Sequence, residues 1–184
     1  MPSSASRHPP GAGPNLYLIG FMGTGKTALG RRAADALKAR FIDVDQAIEA
    51  KVGMPISRFF EEQGEPAFRE EEWLFIESGH PGRGCVVSCG GGLAVQPGMM
   101  DRLMAKGVVV ALSARPETIL RRVSGNKNRP LLNVPDPEAR IRDLLSERQP
   151  YYQRAHACIM TDLRPKRETL AHVLRAYKEL ARQR

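Results

Sequence analysis

The chain has 184 residues, 42% of them hydrophobic, enough for one well-buried domain and short for two. No apolar run approaches the about 20 residues that cross a bilayer, and the N-terminus lacks the apolar core of a signal peptide, so neither a membrane nor a secreted protein is expected. A formal charge of +8 points to anionic partners, but the arginines are scattered and aromatic residues are only 6%, which argues against a base-stacking nucleic-acid platform and for small phosphorylated or carboxylated ligands.

Residues 1–14, rich in Pro, Ser and Gly, read as a flexible leader ahead of a single domain over 15–184. The β-rich run Leu16 to Ile19 leads into Gly20-Phe21-Met22-Gly23-Thr24-Gly25-Lys26-Thr27, a complete G-x-x-x-x-G-K-[ST] phosphate loop. Its glycines let backbone N–H groups curl around phosphate oxygens, and the helix that follows adds unpaired donors and partial positive charge. Lys26 is placed to reach the β- and γ-phosphates and Thr27 to ligate Mg²⁺, with Gly23, Thr24, Gly25 and Ala28 completing the ATP cradle. That helix is predicted to present Leu29, Ala33, Ala36 and Leu37 on one face.

Phe41-Ile42-Asp43-Val44-Asp45 reads as a strand ending in acids, and only here does a candidate strand do so. Asp43 is therefore the metal-side carboxylate, and alternation puts Asp45 on the same face, one step nearer the site mouth, to orient a substrate hydroxyl. Helix capping by this pair is the competing reading. In the helical segment 65–78, Arg69 aligns with Trp73 and Ile76; in a later one, Arg148 completes the face of Ile141, Leu144 and Leu145. An inward guanidinium must find an anion, either a neighbouring glutamate or a substrate carboxylate.

The run Cys85 to Cys89 is a strand followed by Gly90-Gly91-Gly92, where backbone can approach a ligand unobstructed or form a plain connector. Val108 to Leu112 is a further strand. The polar, proline-broken stretch 123–137 reads as a mobile lid or an ordinary loop. Ala157 to Met160 is the last strand, and Leu170, Val173, Leu174 and Tyr177 form the docking face of the last helix. Strands alternating with helices imply a mostly parallel sheet covered on both faces, with ligands at the carboxyl ends of its strands. An odd count of cysteines, Cys85, Cys89 and Cys158, in apolar settings suits core thiols in a reducing cytoplasm.

Taken together, the phosphate loop, Asp43-Val44-Asp45, Phe68-Arg69, Gly90-Gly91-Gly92, Arg129-Pro130-Leu131-Leu132 and Arg148-Gln149-Pro150-Tyr151-Tyr152, in this order, resemble the shikimate kinase family. The resemblance implies an α/β three-layer sandwich with a five-stranded parallel sheet, and transfer of phosphate from ATP, with Mg²⁺, to the 3-hydroxyl of shikimate. It implies that Asp45, Arg69, Gly90, Gly91, Gly92 and Arg148 hold shikimate, and that Arg129 swings from the lid onto the transferring phosphate. Lys26, Asp45 and Arg129 are then the catalytic set, and Arg122 and Arg164 pack near the adenine.

Three rivals remain at this level. A guanine-nucleotide switch is opposed by Arg129, which stands where N-K-x-D requires an acid. A nucleic-acid-dependent ATPase would show polynucleotide-stimulated hydrolysis. A related small kinase, for gluconate or a nucleoside monophosphate, is the nearest alternative. A monomer acting on small molecules, with neither nucleic acid nor membrane as partner, is the expectation.

Overall fold

The computed structural model describes residues 13–124 and 134–183. Five parallel strands, β1 (Asn15–Gly20), β2 (Arg40–Asp43), β3 (Cys85–Ser88), β4 (Gly107–Ser113) and β5 (Ala157–Met160), form one sheet in the order β2-β3-β1-β4-β5. Between and after them run α1 (Lys26–Leu37), α2 (Val44–Val52), α3 (Ile56–Ser78), α4 (Met99–Lys106), α5 (Pro116–Val123), α6 (Pro137–Tyr152) and α7 (Lys166–Ala181), with a short 3₁₀ turn at Leu93–Val95.

Strand alternation builds two cores. Leu16, Leu18, Val86, Val108 and Val110 face α1 and α7, whereas Tyr17, Ile19, Val87, Val109 and Ala111 face the layer containing α2 to α6. Each side of the central strands is covered, so these strands are continuous apolar runs. The predicted α/β sandwich, its five strands and its parallel sense are all present.

Four local expectations change. Ala36 is exposed, and the inward face of α1 is Leu29, Gly30, Ala33 and Ala34. Gly30 is there because helix and sheet nearly touch: a Cβ would stand 2.6 Å from Phe41. The strand read through Asp45 stops at Asp43, whose carboxylate accepts the Gln46 N–H at 3.5 Å and starts α2, so Asp45 lies in a helical first turn and not on a strand face. The inward row of α3 is Phe68, Glu72 and Ile76, with Arg69 on its flank. Cys158 is exposed on the edge strand β5 and so is not a core thiol, whereas Cys85 and Cys89 are buried.

Residues 1–12 of the leader and 125–133 of the lid lie outside the described residues. Gly13 and Pro14 are fixed: Gly13 O accepts the Gly84 N–H at 2.9 Å, and Pro14 O accepts the Tyr177 hydroxyl at 2.8 Å.

Candidate active site

At the carboxyl ends of β1, β2 and β3 opens a cleft of about 600 Å³, the size of a small-molecule site. One wall is the phosphate loop. Gly20 ends β1 at φ 134 with Leu112 O only 2.1 Å from where a Cβ would stand, so no other residue fits the exit. Gly25, at φ 96, turns the chain into α1 and gives its carbonyl to Leu29 N–H. Thr24 is fully buried and donates its hydroxyl to Phe21 O at 2.7 Å, locking the loop from within. The Lys26 ammonium donates to Gly20 O at 2.8 Å and Phe21 O at 2.9 Å, which holds it over the loop.

Beside Lys26, the Thr27 hydroxyl donates to Asp43 Oδ2 at 2.9 Å, and Ser88 Oγ stands 3.5 Å from Thr27 Oγ1. This is an all-oxygen donor set, the hard-ligand chemistry that Mg²⁺ prefers. No cluster of three His, Cys, Asp or Glu occurs among the described residues.

The opposite wall holds the acceptor side. Asp45 projects from the first turn of α2 into the cleft, and burial, reinforced by Asp43 and Glu49, pushes its carboxyl up to about 6 against the pull of Lys26 and Arg69. Arg69 donates to Glu65 Oε1 at 2.7 Å and to Glu72 Oε2 at 2.6 Å, yet its guanidinium also lines the cleft. The glutamate pairing and the inward orientation thus coexist. Arg148 donates to Gly91 O at 3.1 Å and lies 5.3 Å from the Phe21 ring centre, with no carboxylate partner recorded among the described residues.

The glycine triplet sits between these groups. A Cβ on Gly90 would meet Asp45 Oδ1 at 2.7 Å and Glu72 Oε1 at 2.9 Å; one on Gly92 would meet Arg69 Nη2 at 2.6 Å. Close approach, not turn geometry, therefore requires glycine there. α3 kinks at Gly64, with Pro66 just after it; across the kink Phe60 packs on Phe68, ring centres 4.9 Å apart, and these two with Ile56 give the cleft its apolar lining.

A second hollow of about 200 Å³ adjoins the first across Gly25 and Ala28 and is lined by Thr24, Arg122 and Thr161. Arg122 donates to Gly23 O at 3.0 Å and to Thr161 O at 3.1 Å, joining the phosphate loop to the segment after β5. Arg164 is exposed and lines neither hollow. Arg129 lies outside the described residues.

Glu72 is the cleft residue that sequence reasoning missed. It is fully buried, burial pushes its carboxyl up to about 7 despite Arg69, and its Oε1 has no hydrogen-bond partner among the described residues. The signal was its i+4 spacing from Phe68 and to Ile76, an acid in an apolar register.

Comparisons with known proteins identify the family. The family model for shikimate kinase matches residues 22–178. The chain belongs to the shikimate kinase family. A shikimate kinase of Caldanaerobacter subterraneus subsp. tengcongensis is 42% identical over 166 residues, covering 90% of this chain and 97% of that protein. One of Acinetobacter baylyi is 42% identical, covering 88% and 91%. The solved shikimate kinase of Acinetobacter baumannii, in complex with shikimate, superposes with a TM-score of 0.84 at 37% identity, covering 92% of this chain and 95% of that one. A gluconokinase of Sinorhizobium meliloti reaches 0.60 at 18% identity, covering 96% and 97%, and shares the fold.

Proposed function

We propose that this protein transfers the γ-phosphoryl group of ATP to the 3-hydroxyl of shikimate, giving shikimate 3-phosphate and ADP. The observation that carries the reading is the single cleft that faces Lys26 and Thr27 on one side and Asp45, Arg69 and Arg148 on the other. A nucleotide's terminal phosphate and an alcohol on a carboxylated ring are the pair such a cleft accommodates.

Phosphoryl transfer asks mainly for alignment and neutralisation of charge spread over the γ-oxygens. Lys26 and the loop amides take the phosphates, and the Arg69 and Arg148 guanidiniums take the ring carboxylate by bidentate hydrogen bonds. Gly90 to Gly92 lie against the ring, where a side chain would displace Asp45 or Arg69. Asp45 accepts the hydrogen bond of the attacking hydroxyl and, late in the reaction, its proton. Thr27 and Asp43 would hold Mg²⁺, which when bound neutralises phosphate charge. Arg122, which lines the second hollow, lies along the base, and Arg129 adds positive charge from the lid; Arg164, exposed and outside both hollows, has no contact among the described residues that supports the adenine role the resemblance implied. The protein is read as a cytoplasmic monomer; the buried free thiols Cys85 and Cys89 suit a reducing compartment.

A coupled ADP-release assay across shikimate, gluconate and AMP tests the acceptor. Turnover with shikimate at least about a hundredfold above the others is expected, since unmet guanidinium and carboxylate groups reject the wrong acceptor; equal turnover with gluconate overturns it. In the same assay Arg129→Ala should lower kcat by roughly three orders of magnitude, as for other transition-state arginines. A change confined to KM for ATP would remove that role.

A further inference from the structure

Arg69 is contested by two glutamates. Its Nε and Nη2 donate to Glu65 Oε1 at 3.1 and 2.7 Å, on the exposed side of α3, and its Nη1 donates to Glu72 Oε2 at 2.6 Å, on the buried side. Where the guanidinium points depends on how firmly Glu72 is held. A buried carboxylate with only one donor on it can rotate to trade its two oxygens, and Glu72 Oε1 has no partner among the described residues to prevent that.

The missing constraint comes from the loop after the glycine triplet. Gln96, 9% exposed, donates its side-chain amide to Glu72 Oε2 at 2.6 Å, the same oxygen that receives Arg69. A carboxylate accepts, so the amide nitrogen and not its oxygen faces Glu72. Gln96 is itself fixed by its backbone: its N–H donates to Leu93 O at 3.3 Å, closing the 3₁₀ turn, and its carbonyl accepts Met99 N–H at 3.2 Å. The same loop anchors the other guanidinium, because Gly91 O accepts both Arg148 Nη1 at 3.1 Å and the Tyr152 hydroxyl at 2.8 Å.

We propose that Gln96 is a positioning residue for the acceptor site: by pinning Glu72 Oε2 it holds Arg69 toward the cleft, so that one loop, 90–96, sets the placement of both carboxylate-binding arginines. This rests on the reading of Arg69 as an anchor for the substrate carboxylate. Gln96 touches no reacting atom. It acts through Glu72 on Arg69, and its loss should weaken acceptor binding while sparing the nucleotide.

The test is steady-state kinetics of Gln96→Met, which keeps the volume and removes the donor. KM for shikimate is expected to rise about tenfold, the worth of one hydrogen bond to a charged group, with KM for ATP unchanged. In a Glu72→Gln background the same substitution should have little further effect, because the two residues act as one unit. A shikimate KM within about twofold of the parent, or equal shifts in both KM values, overturns the proposal. Arg69→Ala separates the two readings. If it leaves shikimate affinity intact, Arg69 is no anchor; if it weakens affinity and Gln96→Met does not, only the role of Gln96 falls. Should Gln96→Met fail to fold, exchange of the Gln96 side-chain amide protons in the unmodified protein decides: slow exchange supports the clamp, and exchange at the rate of a free amide overturns it.

Discussion

Asp45 illustrates how chemistry and stability oppose each other at a single residue. Its carboxyl is raised to about 6 by burial and by Asp43 and Glu49, above the roughly 3.9 of an unfolded chain. Its contribution to stability is therefore complete below pH about 4 and lost as pH rises through 6, because the folded state binds the proton more tightly. Asp45→Asn removes that loss. Without nucleotide or metal, the variant should melt a few degrees above the parent at pH 8 and level with it near pH 4, measured by scanning calorimetry, while its kcat collapses and its ATP affinity stays. A Tm gap independent of pH would mean that Asp45 ionises in the folded state as it does in water. Gly92 offers a second residue-scale test. The nearest atoms to an added methyl are the tip of Arg69, which can swing away, so Gly92→Ala should leave Tm nearly unchanged yet raise KM for shikimate about tenfold through displacement of a charge-assisted bond. At this scale the sequence made Lys26, Thr27, Asp43 and the glycine triplet readable because each belongs to a short motif with its own physics. Glu72 and Gln96 were not readable in that way: their meaning comes from meeting each other across 24 positions of chain.

Among elements, the junction of β2 and α2 shows why strand ends mislead. Val44 and Asp45 continue an alternating pattern, but Asp43 captures the Gln46 N–H and the backbone turns helical at once. A capping side chain overrides local periodicity. In α3, spacing put Arg69 on the inward face with Trp73 and Ile76, whereas the buried row is one step round the helix, Phe68, Glu72 and Ile76, with Arg69 on its flank. The amino end of β1 holds a different device. Asn15, fully buried, accepts Cys85 N–H at 2.9 Å and donates to Pro81 O at 2.8 Å, tying the turn between α3 and β3 to the central strand. Nearby, Tyr17 and His80 stand 3.3 Å apart through their polar atoms. Asn15→Ala would leave a buried amide N–H and a carbonyl unmet, at about 1–3 kcal/mol each. A Tm lower by about 5–15 °C is expected in thermal melts, with both KM values retained in the surviving folded enzyme; an unchanged Tm would show that water replaces the amide.

Over the whole molecule, the alternation of strands and helices made the doubly covered parallel sheet legible, because crossover chirality leaves few ways to connect such a chain. The order β2-β3-β1-β4-β5 was not written in any single segment; it follows from which strands share a neighbour. The two hollows meet across Gly25 and Ala28, so both substrates should stabilise the fold by mass action. At about 100 times Kd, each should add about 2.7 kcal/mol, read as a Tm rise of about 5–10 °C. A rise with ATP but none with shikimate alone would mean that the acceptor side is assembled only after the nucleotide arrives.

The sheet gathers the reactive groups at one rim, where its strands end, and the Asn15 bracket at the other, where they begin. The Asn15 bracket therefore contributes to heat tolerance from a place that touches none of the reacting groups. Directed evolution can harden that rim around Asn15, Pro81 and Cys85 while leaving the chemistry above it undisturbed.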